Sequence, residues 1–338
     1  MRSSAELGAD DIDVPPCAFY TVADHRHFTG AVALLNSLRL VGHEEPIFLV
    51  DAGLTDVQRG ILAGHLRLLP APQGLPPVYM APLGPLVRPA QIAVIIDADI
   101  IVVRPLTSLV DSAREGRVVG FVNNPPNHER FFPEWATRLE LGDLRRRPYL
   151  NAGLFVIPRV LNDRLLSRWL ACQKKVDYQR TRYGSARMFD PFYFADQDVV
   201  NALFSSELRD DEVDCLEHKW APHTPFSDLR IVDEHEMTCE YPDGSQPFLL
   251  HHTLAKPWLK ATEPNVYSRL LPRVLFAPDV TVRLSPTDVP LRLRTGLLAS
   301  AERYRSGVQA RLRRSARTQI GRFGIRTRVA NRRQRRLA

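Results

Sequence analysis

The sequence predicts an α/β fold: a mostly parallel sheet covered by helices in one domain over residues 17–290, followed by a basic tail over residues 291–338. Three observations carry this. Strand and helix patterns alternate through residues 17–69, the arrangement that builds parallel sheets. The strand candidates are short unbroken apolar runs, as expected where both faces of a sheet are buried. Composition breaks only near Leu291, after which fifteen arginines face a single acid, Glu302.

The elements follow in order. Residues 1–16 are acidic, lack the apolar stretch of a secretory leader and are expected to be disordered. Residues 17–23 read as a buried strand. Beyond Asp24-His25-Arg26-His27, the apolar residues Phe28, Ala31, Leu34, Leu35 and Leu38 recur at helical spacing, and Gly42 closes that helix. Residues 46–50 are a second strand. Thr55-Asp56-Val57-Gln58 reads as the capped start of a helix running to Leu69. Residues 70–89, rich in Pro and Gly, predict a loop. Apolar runs at 92–96 and 100–103 flank the turn Asp97-Ala98-Asp99. Strands are expected at 118–122 and 150–157, and a mobile loop with a short helix between them, over 123–147. Helical spacing covers 161–175. Residues 173–191 are polar and basic, a helix starts at Asp196 and reaches 204, and residues 248–251 form a late strand.

Composition narrows the class of protein. With 44% hydrophobic and 25% charged residues in 338, the chain is an ordinary globular one. The four cysteines are scattered with no CxxC pair, which argues against a structural zinc site or a disulfide framework and fits reduced thiols in a cytoplasm. The longest apolar stretch, residues 92–103, contains two aspartates, and nothing approaches the roughly 20 apolar residues that span a bilayer. The expected location is therefore cytoplasmic, or peripheral on the inner face of a membrane. The tail carries a formal +14 and the whole chain +7, so residues 1–290 sum to −7. Such an asymmetry is not the uniform basic surface of a nucleic-acid binder. There is no GxGxxG, GxxxxGK, HExxH or GxSxG, so dinucleotide, P-loop, zincin and hydrolase-elbow chemistries have no support.

Within this frame Asp97-Ala98-Asp99 stands out. Two carboxylates at the end of a buried strand are costly without a partner. Their i, i+2 spacing can aim both at one hard cation, Mg²⁺ or Mn²⁺, of the kind often shared with substrate phosphates. The alternative is a polar turn that ends a strand. Gly153, in Asn151-Ala152-Gly153, either lets a ligand approach the backbone or marks a bulge. Asp196-Gln197-Asp198 opens a helix, where acids also favour the helix dipole. His251 and His252 follow an apolar run, with Lys256-Pro257-Trp258 after them. His25-x-His27 has no third ligand nearby in sequence.

Five segments in this order resemble the retaining glycosyltransferases of family 8, the group that includes glycogenin and bacterial lipooligosaccharide galactosyltransferases. They are Ala18 to Ala23, Ile96 to Ile100, Leu150 to Val156, Asp196 to Asn201, and Leu250-His251 with Lys256-Pro257-Trp258. The resemblance covers residues 17–260 and implies a GT-A fold with a Rossmann-like central sheet. It implies a divalent ion, Mn²⁺ or Mg²⁺, on Asp97, Asp99 and His251. It implies a nucleotide sugar, a UDP-sugar, held by Thr21, Ala23, Asp24, Asp97, Ala98, Asp99, Gly153, Lys256 and Trp258. Asn151, Asp196, Gln197 and Asp198 would serve the reacting sugar, a hexose transferred with retention to a glycan, lipid-linked or small-molecule acceptor. The family places six residues from the histidine to the lysine, whereas His251 to Lys256 is five. That leaves His252 open as the ligand, although the Leu-Leu-His context favours His251.

Two other classes compete. A nucleotidyltransferase on a similar sheet would bring a Gly-rich basic loop after the first strand, where Asp24-His25-Arg26-His27 has no glycine. A nucleic-acid-binding protein acting through its tail would leave the carboxylate pair without a role. In the tail itself, Leu297, Ala301, Tyr304, Val308, Leu312, Ala316 and Ile320 recur every three or four positions among arginines. That is the pattern of a basic amphipathic helix that lies on an anionic membrane, or else of a helix packed on the catalytic body with a disordered basic end.

Overall fold

The structure, a computed structural model, describes residues 14–125, 127–294, 296–302 and 304–309. The chain opens with β1 (Ala18–Ala23), α1 (Phe28–Leu40), β2 (Ile47–Asp51), α2 (Asp56–Leu62), β3 (Arg67–Pro70) and α3 (Leu83–Val87). It continues through β4 (Ile92–Ile96), β5 (Ile100–Val102), α4 (Thr107–Arg114), β6 (Val118–Val122), α5 (Glu134–Leu139), β7 (Leu150–Pro158) and α6 (Arg159–Lys174). It closes with α7 (Asp196–Glu207), β8 (Val213–Leu216), a β9 (Arg230–Asp233) and β10 (Thr238–Glu240) hairpin, β11 (Leu249–His251) and α8 (Val266–Phe276).

Seven strands form the central sheet in the order β3-β2-β1-β4-β7-β6-β8. Six run parallel and β7 runs against both neighbours. The alternation of side chains along each strand feeds two cores. On one face Phe19, Val94, Ile96 and Val156 meet Leu34, Leu38 and the α8 residues Leu270, Leu271 and Val274. On the other, Ile95, Phe155 and Ile157 meet Trp169 of α6 and Phe204 of α7. This is the mostly parallel α/β sheet that the sequence predicts. A small second sheet pairs β5 with β11 antiparallel, His251 opposite Ile100. It hangs the late histidine beside the acidic turn that follows β4.

Several expectations on boundaries are corrected. Val14–Pro16 belong to the fold, because the Pro15 and Pro16 carbonyls accept from the N–H groups of Gln91 and Ile92 (2.9 and 3.2 Å). Residues 1–13 lie outside the described residues. The second helix has the expected Thr55–Gln58 capping box but ends at Leu62, where Gly64 at φ +82° turns the chain, and Arg67–Pro70 adds an edge strand instead. The 123–147 segment is well anchored. Trp135 of α5 is buried, stacks on Tyr149 and donates to the Pro191 carbonyl (2.6 Å). No helix among the described residues is long and apolar enough to cross a membrane.

Candidate metal and sugar site

The acidic turn is built by β4 ending at Ile96 and β5 beginning at Ile100. Its backbone is pinned on both sides: the Asp97 N–H donates to the Gly153 carbonyl (2.9 Å), and the His252 N–H donates to the Asp99 carbonyl (3.2 Å). The side chains of Asp97, Asp99 and His251 then converge. Nε2 of His251 lies 3.4 Å from Asp97 Oδ2 and 3.1 Å from Asp99 Oδ1. Among the described residues this is the one group of three His, Cys, Asp or Glu whose ligand atoms all lie within 4.8 Å of one another.

The donor set fits a divalent cation. Asp99 Oδ1 is buried and its charge partner is His251 Nε2 at 3.1 Å, a position that a cation could take over. Two carboxylate oxygens and one imidazole nitrogen suit Mn²⁺, which tolerates the nitrogen better than Mg²⁺ does. Electrostatics agree. Burial would raise the Asp99 pKa, but Lys256 and His251 hold it well below the usual carboxylate range. Burial would lower that of His251, and Asp99 and Asp97 outweigh this and hold it up to about 9. The carboxylates thus demand positive charge at this spot, which His251 and the Lys256 ammonium on Asp99 Oδ2 supply here.

His251 is aimed by its other nitrogen. Nδ1 lies 3.0 Å from Asn151 Oδ1, which also accepts from the Gly153 N–H (2.9 Å). The network assigns the Nδ1 proton to that bond and turns Nε2 to the carboxylates. Asn151, expected at the reacting sugar, therefore positions the histidine. Gly153 is required by space, since a Cβ there would run into the His251 ring. It also lies where β7 parts from β6: Phe121 pairs with Asn151 and Gly120 with Phe155, so the residues between bulge away from β6. The bulge reading of Gly153 thus holds, and the close approach there is by the His251 ring.

The other expected residues divide. His252 is buried against Tyr267 and Phe226 and does not join the group, which leaves His251 as the histidine of the cluster. Thr21 Oγ1 is buried in β1 without a hydrogen bond, a polar atom with capacity for a ligand. Ala23 ends β1 and is buried. Asp24 serves the turn into α1, accepting from the N–H groups of Arg26 and His27 (3.0 and 2.9 Å) and facing His27 Nδ1 at 2.7 Å. Ala98 is buried, and its carbonyl presses on Gly30 of α1. Trp258 lies against the same glycine, where any Cβ would meet its Cη2 at 2.8 Å, and donates from Nε1 to the Arg26 carbonyl (2.7 Å). Its indole is 6% exposed and clamps the Lys-Pro-Trp segment to the β1–α1 turn, a scaffold contact.

α7 presents the remaining acids from its first turn. Ala195, just before it, has φ +53° and ψ −115°, a conformation that costs a side-chain-bearing residue about 1–3 kcal/mol. Asp198 is fully buried and saturated by Arg130 Nε (2.6 Å), Tyr149 Oη (2.7 Å) and the Phe194 N–H (2.7 Å), so it anchors the helix and cannot reach a sugar. Gln197 accepts from the Ala152 N–H (3.1 Å) and ties α7 to the Asn151–Gly153 segment. The Asp196 carboxylate meets the backbone N–H groups at the start of α7, and burial and the charge of Asp97 push its pKa well above the usual range. Three tyrosines that sequence reasoning missed stand near it. Partial desolvation and the charges of Asp196 and Asp97 raise the pKa of Tyr183, itself half-exposed, and burial with Asp196 raises that of Tyr79. Tyr178 stacks on Tyr183 with ring centroids 5.1 Å apart and meets Tyr79 edge-on. The Tyr178-x4-Tyr183 pair inside a polar stretch was the available signal. Gly30, a glycine inside a helix despite a cost of about 1 kcal/mol, was another.

Solved structures share this fold. The bifunctional glycosyltransferase WbbM, in its apo structure, matches 80% of this chain at a TM-score of 0.52 and 15% identity; the match takes in 51% of WbbM, so this chain spans about half its length. The galactosyltransferase LgtC, in complex with donor and acceptor sugar analogues, matches 78% of this chain and 98% of its own at a TM-score of 0.50 and 17% identity. An active-site mutant of LgtC gives 0.51 over 80% and 98%, again at 17% identity. The architecture is that of the GT-A glycosyltransferases. No family model and no curated protein matches the chain in sequence.

Proposed function

We propose that this chain is a metal-dependent retaining glycosyltransferase that moves a hexose from a nucleotide sugar, a UDP-sugar, to a sugar-bearing acceptor. The observation that carries the reading is the convergence of Asp97, Asp99 and His251 in a fold that LgtC uses with donor and acceptor sugars. A divalent ion held there would offset the charge that a diphosphate leaving group gains as the glycosidic bond breaks.

The chain's own residues supply the rest. Lys256 neutralises Asp99 in this structure, and with the carboxylate otherwise compensated by an ion its ammonium would be available to phosphate oxygens. Asn151 keeps the His251 imidazole in register. Thr21 offers a buried hydroxyl to the nucleotide. Asp196 is the carboxyl left to hold a sugar hydroxyl or to face positive charge at the anomeric carbon. The stacked Tyr178 and Tyr183 offer a flat apolar face with polar tips, the surface on which a hexose ring packs. A panel of nucleotide sugars assayed for release of the nucleoside diphosphate tests the reading. One UDP-hexose should turn over with Mn²⁺ and stop with chelator. Absence of turnover and of binding across the panel overturns the reading.

A further inference from the structure

The start of the basic tail packs on the body with the wrong face for an ordinary amphipathic helix. Residues 297–302 and 304–309 are helical. Helices of globular proteins turn their apolar stripe to the core. Here the buried positions are Ala299, Ser306 and Gly307, small or polar residues. Gly307 fits against Pro264, where a Cβ would come within 3.2 Å of Pro264 Cδ. The opposite face is apolar and open. Leu297 is 90% exposed, Leu298 76%, Tyr304 77% and Val308 40%, and Ala301 lies among them. At 100° per residue, Leu297, Ala301, Tyr304 and Val308 fall on one narrow stripe. Two adjacent leucines held in water at the start of that stripe are unfavourable unless something covers them.

We propose that this face is a docking surface for an anionic phospholipid bilayer, with the Leu297–Val308 stripe entering the acyl boundary and the arginines at the headgroups. Charge chooses the occupant. Residues 310–338 hold eleven arginines and no acid, and residues 291–338 sum to +14. Two copies of so cationic a segment repel each other, and nucleic acid has no use for an outward leucine and tyrosine stripe. An anionic bilayer takes both, the stripe in its acyl boundary and the arginines at its charged surface. Leu312, Ala316 and Ile320, which continue the spacing, lie outside the described residues. The helix is also joined to the segment that follows Lys256: Arg292 Nε donates to the Pro257 carbonyl (2.9 Å), and Ser306 and Leu293 line one cleft with Pro257 and Pro264. A docked helix therefore holds that end of the molecule at the membrane. The inference stands apart from the glycosyl-transfer reading, since it uses none of the carboxylate cluster.

The test is co-sedimentation of the full chain with vesicles of equal parts phosphatidylglycerol and phosphatidylcholine, and with phosphatidylcholine alone. Binding should need the anionic lipid and fall as salt rises. The double substitution Leu297→Glu with Leu298→Glu, at exposed positions, should leave Tm unchanged and cut partitioning roughly tenfold or more, since both leucines would otherwise leave water for the acyl boundary. Failure to bind anionic vesicles at low salt overturns the proposal. So does binding that ignores the double substitution, a dimer that the substitution splits, or retention on duplex DNA with none on vesicles.

Discussion

At the scale of residues, the side chain of Asn151 decides which histidine nitrogen faces the carboxylates. Partners of this kind tune metal affinity by roughly 10–100-fold. Asn151→Ala should therefore weaken Mn²⁺ binding by about that factor, read by calorimetric titration, and His251→Ala should weaken it further. His252→Ala should leave Mn²⁺ affinity intact and appear as a lower Tm, because it empties a buried site against Tyr267. The pH dependence has a fixed sign. His251, raised from 6.5 to about 9 in this structure, is protonated at neutral pH, and a cation must displace that proton. Mn²⁺ affinity should fall as pH drops below about 9, with close to one proton released per ion bound at pH 7. The metal-free protein should show the opposite trend. A raised histidine pKa contributes stability below 6.5 that is lost as pH rises through about 9, so Tm without metal should decline across that window. The acidic pair was legible as two charges between apolar runs. The choice between His251 and His252 was not, because it depends on pairing. β11 sets His251 opposite Ile100, and the next residue points to the other face.

At the scale of elements, β7 does the positioning. It pairs with β4 from Leu154 to Pro158 and leaves β6 between Asn151 and Phe155, and the opening admits the His251 ring over Gly153. Gly153→Ala should displace that ring, weaken Mn²⁺ binding at least tenfold and leave the far-UV circular dichroism unchanged. An unaltered affinity would mean that the ring is free to shift. The unbroken apolar strands were legible because burial on both faces writes itself as a run of Val, Ile and Phe. β3 was read as the end of α2, since Leu66, Leu68 and Leu69 suit either period and only Gly64 separates them. α8 was not anticipated, because Pro272 stands inside it. Its signal was nevertheless present in Val266, Tyr267, Leu270, Leu271, Val274 and Leu275, all buried and at helical spacing. Asn36 of α1 then fixes α8 in place by donating to the Val274 and Val282 carbonyls (2.7 Å each), a long-range bond that no local pattern contains.

At the scale of the whole molecule, the central sheet and the small β5–β11 sheet bring residues 97, 99, 151, 251 and 256 together from across the chain. The order of the segments was legible in the sequence, and so was the break in charge at the tail. What could not be read there was which members of each segment face the cluster and which hold the frame. Asp198 and Trp258 belong to the frame, and Asp196 and Lys256 to the cluster, a division set by packing with Arg130, Tyr149 and Gly30. The same holds for the tail helix, whose buried face is chosen by Ala299, Ser306 and Gly307 rather than by its apolar stripe. The account's central claim is that Asp97, Asp99 and His251 hold a divalent ion for the diphosphate of a nucleotide sugar. Equilibrium binding of UDP to the full chain, with and without Mn²⁺, tests it most directly when repeated on Asp97→Asn, a change at a side chain that is 50% exposed and so spares the fold. The account predicts that Mn²⁺ tightens UDP binding at least tenfold in the unaltered protein and has little effect in the variant. UDP affinity that is the same with and without the ion, or equally strengthened in both proteins, would contradict it.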